Sequence, residues 1–334
     1  MAKNFIHIDP RSAVPKYRQI ILSIVASIES RNMQVGDKLP SINQLCSDST
    51  IRRDTVMYAL NELRSRGIIS SQHGKGYYVA SRDLSMNERI FMLFDTMDDY
   101  AFKIYNSLVP MLPPGARAEI CFHHNDPERI RKYLTDHVGY HTSYILSLKG
   151  LENYGSLVDR LKGGRVCLIG RPDNGIPEKP CVYHDSGKDL YESLRHLRKY
   201  FRKYCRLVYL SRNIPGTAEK TDAFTRFCTE ENLDFLICRN PEQLRPALFE
   251  AYIIPEDDIL TELIMQIRKT DFNIGENIGI ITFEDSLMKE VALGGLTTIT
   301  HDYQELCNRM LEIVQGGKRG QQRIKSRVIQ RNSL

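Results

Sequence analysis

Residues 51–80 read IRRDTVMYALNELRSRGIISSQHGKGYYVA. Arg52-Arg53-Asp54-Thr55-Val56 opens a helix, and Val56, Ala59, Leu60 and Leu63 recur on one face at helical spacing. The spacing predicts a helix from about Arg53 to Arg66, with Gly67 as its stop. Two short apolar runs follow, at 68–71 and 77–80, around Gln72-His73-Gly74-Lys75-Gly76. They read as a hairpin whose tip can take positive φ at Gly74 and Gly76 and approach another molecule closely. A basic helix beside a glycine-tipped hairpin is suited to holding duplex DNA.

The chain upstream completes that reading. Pro15 opens a helix through Ser30, with Ile20, Ile21, Ile24, Val25 and Ile28 as its apolar stripe. Val35-Gly36-Asp37 is a turn, and Ser41 caps a short second helix with Gln44 as its capping-box partner. Charge agrees. Residues 1–80 hold 11 basic and 6 acidic side chains, a net of +5. The whole chain, with 46 basic and 41 acidic residues, is also +5, so the other 254 residues are balanced. Excess positive charge confined to the head is what phosphate neutralisation requires.

Five motifs in this order resemble the winged helix-turn-helix head of the gluconate-operon-repressor (GntR) family. They are Pro15-x-Tyr17-x-Gln19-Ile20, Gly36-Asp37-Lys38-Leu39-Pro40-Ser41, Arg53-x-Thr55-Val56-x-x-Ala59-Leu60-x-x-Leu63, Gly67-Ile68-Ile69 and Gly74-Lys75-Gly76-x-Tyr78-Val79. The resemblance implies that the third helix enters the major groove with Arg52, Arg53 and Thr55 on bases or phosphates. It places His73 and Gly74 along the minor groove and Lys75 on phosphate. Asn43 stands where the family usually has Arg, and Met57 where another basic residue is common, so the operator need not be the usual one. Arg64 and Arg66 read as solvated helix surface.

Length and composition bound the remainder. A chain of 334 residues with 42% apolar content is expected to form two or three domains with buried cores. No apolar run is long enough to span a bilayer, and MAKNFIHIDP lacks a signal-peptide pattern, so a cytoplasmic protein is expected. The 8 cysteines form no Cys-x-x-Cys pair and read mostly as reduced core residues.

Residues 81–88 are polar and read as a linker between a DNA-binding domain at 1–80 and an effector domain at 89–334. Strands are expected at 90–94, 118–122, 144–148, 166–169, 207–210, 235–238, 251–254 and 278–282. Helices at 126–137, 188–204, 217–230 and 259–269 lie among them. That alternation predicts an α/β fold with parallel sheets. Neither a dinucleotide-binding nor a P-loop glycine motif is present.

Further motifs resemble the effector domain of the lactose-repressor (LacI) family, relatives of periplasmic sugar-binding proteins. They are Asp126-Pro127-Glu128-Arg129-x-Arg131-x-Tyr133-Leu134, Ile169-Gly170-Arg171-Pro172, Ile281-Thr282-Phe283-Glu284-Asp285 and Leu296-Thr297-Thr298-Ile299. A head of the first kind on a sensor of the second is the architecture of arabinose-type repressors. The resemblance implies two lobes with a ligand cleft at the carboxyl ends of the strands. Its candidate residues are Asp95, Met97, Asp98, Tyr100, Arg171, Lys220, Asp257, Glu284 and His301. Lys220 stands where the family usually has a ligand-holding Arg. Carboxylates, cations and rings together suit a polyhydroxylated ligand.

Other chemistries weigh less. Asp98-Asp99, Asp257-Asp258 and Glu284-Asp285 are sequence neighbours, poorly placed to flank one glycosidic bond. His123-His124 with Asp126 lacks a further spaced metal ligand. The basic tail, from Gly316 to Arg331, reads as a turn and a last strand rather than a second nucleic-acid patch. The expected protein is a homodimeric, ligand-responsive repressor, not an enzyme, with no cofactor or membrane partner. Its expected partners are double-stranded operator DNA and a monosaccharide such as a pentose or deoxyhexose. The alternatives are a sensor of a non-sugar metabolite or sugar phosphate, and a DNA-binding head fused to an enzyme.

Overall fold

The computed structural model describes residues 6–12, 14–49, 51–65, 67–81, 88–137, 141–151, 153–161, 165–171, 179–212, 218–316 and 320–334. Arg66, Pro172, Thr217, most of the expected linker, and Lys318 and Arg319 of the tail lie outside them.

The head comprises α1 (Lys16–Glu29), α2 (Ile42–Ser49), α3 (Arg53–Ser65) and an antiparallel hairpin of β1 (Ile69–Gln72) and β2 (Gly76–Val79). Pro15 is the residue before the first turn of α1 rather than inside it. The isoleucine stripe of α1 meets Leu39, Leu45, Val56, Leu60, Leu63, Ile69 and Val79 in one core. The capping box forms as read: Ser41 N–H donates to Gln44 Oε1 at 2.9 Å, and Gln44 N–H to Ser41 Oγ at 3.2 Å. Gly67 takes φ +70°, and the Ile68 N–H closes the helix on the Leu63 carbonyl at 3.1 Å. Ile68 is thereby used as a cap. Both wing strands consequently sit one residue nearer the tip than expected, with the Ala80 N–H returning to the Ile68 carbonyl at 2.9 Å.

Beyond the head the chain forms two six-stranded sheets. By compactness it divides into residues 1–182 with 307–322, and 183–306 with 323–334. The first lobe contains β3 (Arg89–Phe94), α4 (Asp99–Leu108), β4 (Arg117–Phe122), α5 (Pro127–Asp136), β5 (Ser143–Ser147), α6 (Gly155–Val158), β6 (Arg165–Ile169) and β7 (Cys181–Tyr183). The second contains α7 (Ser186–Leu197), β8 (Arg206–Leu210), α8 (Ala218–Glu230), β9 (Phe235–Cys238), β10 (Glu250–Ile254), α9 (Asp257–Ile267), β11 (Ile278–Phe283), α10 (Leu287–Val291) and β12 (Thr297–His301). The chain ends with α11 (Tyr303–Val314), β13 (Gln321–Arg323) and β14 (Ser326–Ile329).

The sheet orders are β4-β3-β5-β6-β7-β13 and β9-β8-β10-β11-β12-β14. Each starts with its second strand, then its first, then its third. Both therefore reverse direction of winding between first and third strands, β3/β5 and β8/β10. In doubly wound sheets a ligand crevice forms at that reversal, outside the strands' carboxyl ends. The strands are buried on both faces because helices cover both. In the second lobe Leu207 and Tyr209 join one core, with Phe224, Phe227 and Ile281, while Val208 and Leu210 join another, with Ile254, Leu263 and Ile280. This is the two-residue period of a strand sandwiched between helices.

The helix expected over 188–204 ends at Leu197 and tightens into a 3-10 turn, Arg198–Lys203, that delivers Phe201 and Tyr204 to the core. The tail pairs as β14 antiparallel to β12, and its cations are spent on ion pairs. Arg323 meets Asp189 and Glu192, and Arg331 meets Asp285. Four of the eight cysteines are buried and Cys205 is exposed, so the reading of mostly core cysteines holds for half of them. Among the described residues no helix is long and apolar enough to cross a membrane.

Candidate functional sites

The head buries Arg18 but presents its helix-start and wing-tip cations outward. Arg52 and Arg53 are exposed at the start of α3, and Thr55 is half-buried beside them. His73, Gly74 and Lys75 are exposed at the wing tip, where Gly74 takes φ +71° and Gly76 φ +112°. The tip is thin because a Cβ at Gly74 would meet nothing within 4 Å. Asn43, a departure from the family pattern, has a role the sequence did not disclose. Its Oδ1 accepts from Arg53 Nη1 at 2.9 Å, so α2 aims the arginine of α3. Arg64 is exposed and reaches Ser71 Oγ at 3.4 Å, consistent with helix surface.

In the first lobe, Asp95 follows β3 and Lys149 follows β5. Their side chains pair at 2.6 Å across the winding reversal, with Asp95 buried. Hydrogen bonding to Asp95 raises the Lys149 ammonium above its ordinary range, with Asp98 adding to the field. Asp98 is the N-cap of α4, accepting from the Ala101 N–H at 2.9 Å. Met97 is 70% exposed and Tyr100 half-buried on the same segment. Arg171 is exposed just beyond β6.

In the second lobe the corresponding reversal is marked by Ser211 after β8 and Glu256 after β10, joined by a 2.7 Å hydrogen bond. Glu256 Oε2 is buried without a hydrogen-bond partner among the described residues. Lys220, in the first turn of α8, lies over the Phe283 ring at 4.9 Å. Burial pushes its ammonium below the ordinary lysine range, opposed by the Glu256 and Glu284 carboxylates. Among the described residues Lys220 is within ion-pair distance of no carboxylate. Glu284, after β11, accepts from Tyr303 Oη at 2.7 Å and faces His301 Nε2 at 3.4 Å. His301 in turn stacks on His184 at 3.7 Å.

Of the residues expected from sequence, the fold gathers Lys220, Glu284 and His301 in one lobe, and Asp95 with Asp98 in the other. Asp257 stands apart. It lies in the first turn of α9, exposed, and pairs with Lys289 at 2.6 Å. The adjacent carboxylates diverge, as their spacing suggested. Asp258 goes to Arg212, and Asp285 goes to Arg331 and Thr298 while Glu284 faces Tyr303. His123, Asn125 and Asp126 serve a turn. His123 is buried with Nδ1 accepting from the Asn125 N–H at 3.1 Å, and Asp126 caps α5. Sequence reading missed Lys149, Ser211, Glu256, Phe283 and Tyr303. The signal for the first three is their place just beyond the strands that flank each reversal.

These features define a winged helix-turn-helix head joined to two doubly wound α/β lobes. Comparisons with known proteins agree on both parts. Residues 16–79 match the model of bacterial regulatory proteins, gntR family. The HTH-type transcriptional repressor YtrA of Bacillus subtilis (strain 168) is 40% identical over 75 residues, which are 22% of this chain and 58% of that protein. The chain thus spans less than two thirds of that relative. The arabinose metabolism transcriptional repressor of Geobacillus stearothermophilus is 22% identical over 327 residues, covering 88% of each chain. A LacI family transcriptional regulator from Lactobacillus casei, solved with bound glucose, superposes with a TM-score of 0.54 at 17% identity, over 74% of this chain and 100% of that one. The head is a gntR-type winged helix, and the lobes have the fold of LacI-type regulators.

Proposed function

We propose that this protein is a transcriptional repressor that grips operator DNA through its head and is governed by a small sugar. The observation that carries the reading is the union, in one chain, of a head presenting Arg52, Arg53 and Lys75 with lobes that gather polar side chains at both winding reversals. In this reading Arg52, Arg53 and Thr55 meet the major groove, and His73, Gly74 and Lys75 meet the adjoining minor groove and phosphates. Residues 1–80 act as the DNA-binding module, 81–88 as its linker, and 89–334 as the sensor. The working form is a cytoplasmic homodimer on a pseudo-palindromic site.

The ligand is a neutral monosaccharide of the pentose or deoxyhexose class. Lys220 donates to its hydroxyls, Glu256 and Glu284 accept from them, and the exposed part of the Phe283 ring covers an apolar face. A sugar phosphate fits less well, because Glu256 and Glu284 both act on Lys220 and would repel a dianion beside it. The proposal extends to Asp95, Met97, Asp98, Tyr100, Arg171, Asp257 and His301 on the resemblance to LacI-type sensors. The test is a duplex selected from a random library, followed by anisotropy and thermal melts against a panel of neutral sugars and sugar phosphates. A pentose or deoxyhexose should raise the melting temperature in a dose-dependent way and release the duplex. Selection of no duplex would remove the repressor reading. Stabilisation by phosphorylated sugars alone would remove the neutral ligand.

A further inference from the structure

We propose that the first lobe binds a divalent metal ion of the zinc class at Glu119, Cys121 and His137. The site is independent of the strand-end residues above. Glu119 and Cys121 alternate onto one face of β4, the edge strand of its sheet. Glu119 lies mid-strand, in register with Phe91, rather than at a carboxyl end. α5 returns over the sheet on buried Ile130 and Leu134 and brings His137 at its C-cap above that face. One ligand atom from each of the three residues lies within 4.8 Å of the other two. A tetrahedral zinc site has ligand atoms roughly 3–4 Å apart, so the three side chains must draw together on binding.

The ligands are already held. The His137 ring stacks on Phe91 at 4.1 Å with His141 beside it at 5.2 Å, and Tyr144 Oη donates to the His137 carbonyl at 2.7 Å. His141, itself buried, faces Glu119 Oε2 through Nε2 at 3.1 Å. An imidazole hydrogen-bonded to a ligating carboxylate is the outer support that metal sites commonly carry.

A mixed sulfur, nitrogen and oxygen set favours zinc and its neighbours over magnesium or calcium. On binding, a metal–sulfur bond replaces the Cys121 S–H bond and the proton passes to solvent. Three protein ligands leave a position for water. Arg89 and Arg117 line the same recess of about 560 Å³, together with Asp136. Arg89 is neutralised by Glu62 at 2.6 Å. Glu119 and Asp136 therefore outweigh the remaining charge of Arg117 and leave the recess favourable to a cation.

The test uses the full-length, untagged protein and cobalt(II) as probe. One cobalt per chain should bind, with a thiolate-to-cobalt charge-transfer band that zinc displaces. Cys121→Ser should abolish the band, and Glu119→Gln or His137→Ala should weaken cobalt binding about ten-fold or more. Cys205→Ser, at an exposed cysteine elsewhere, should leave it unchanged. A band that is absent from the wild type, survives Cys121→Ser or is lost in Cys205→Ser overturns the proposal. Alkylation of the wild type, mapped by mass spectrometry, needs no variant to fold: zinc must protect Cys121 and not Cys205, and equal labelling with and without zinc is a refutation.

Discussion

Replacing Asn43 by Ala should weaken operator binding only through Arg53. The two side chains share one 2.9 Å hydrogen bond and both are exposed, so water competes for it. Its loss should change folding stability by no more than about 0.5 kcal/mol. Its effect belongs to binding. A tethered Arg53 arrives at DNA already oriented, whereas a free one must be ordered at a cost of about 0.5–1.5 kcal/mol. That corresponds to a Kd raised about 2- to 13-fold. Arg53→Ala removes the contact itself and should cost about 1–3 kcal/mol, about 5- to 160-fold. The double mutant should bind no worse than Arg53→Ala, so the coupling energy equals the whole Asn43 effect. The measurement is fluorescence anisotropy on one selected duplex at a single salt concentration, because phosphate contacts make every such Kd salt-dependent. If Asn43→Ala costs as much without Arg53 as with it, Asn43 reads DNA itself and the aiming argument fails.

Three other outcomes follow from particular contacts. Lys220→Met should leave duplex binding in the absence of sugar unchanged while weakening the sugar about 13- to 160-fold, the loss of one charged hydrogen bond of about 1.5–3 kcal/mol; a normal sugar-induced thermal shift in the variant removes Lys220 from the site. Ser41→Ala breaks the capping box and should cost about 1 kcal/mol in urea unfolding of the head, and an unchanged midpoint would show that α2 does not need its cap. Burial holds the His184 imidazole below its ordinary 6.5, so between the folded value and 6.5 the unfolded chain binds more protons and stability drops on acidification. Thermal melts from about pH 7.5 to about 5.5 should therefore fall less steeply in His184→Gln than in the wild type, and parallel slopes would exclude that contribution.

How much of this was legible in the sequence depends on how far apart the partners lie. Helix caps, strand periods and the wing depend on neighbours within a few residues, and they read correctly to about two positions, except where the helix expected over 188–204 ends at Leu197. Ile68 shows the residual error: an apolar residue at a junction can cap a helix or begin a strand, and only the Leu63 carbonyl decides. The site residues obey a different rule. Asp98 was visible as an acid after a strand, but its cap contact is local and its place near Lys149 is not. Ser211 and Glu256 meet across 45 residues because β8 and β10 become neighbours, a fact of topology that no window of sequence contains. Lys149 reaches Asp95 for the same reason, through β3 and β5. Asn43 was noticed only as a departure from a pattern. Its meaning appeared once α2 and α3 were packed.

The two reversals carry unequal binding potential. In the first lobe Asp95 is already ion-paired with Lys149 at 2.6 Å, so a hydroxyl entering there must compete with that charge pair. In the second lobe Lys220 holds no ion pair, and Glu256 has a buried oxygen without a partner among the described residues. A buried group left unmade costs more than an average hydrogen bond contributes, so a ligand that completes it recovers that whole penalty. Under the proposed function, sugar affinity should therefore reside mainly with Lys220 and Glu256. The inequality also suits regulation. A ligand can shift a conformational equilibrium only by its differential affinity for the two states. A sugar that completes Glu256 in only one state of the second lobe would shift the balance toward that state by the worth of that contact.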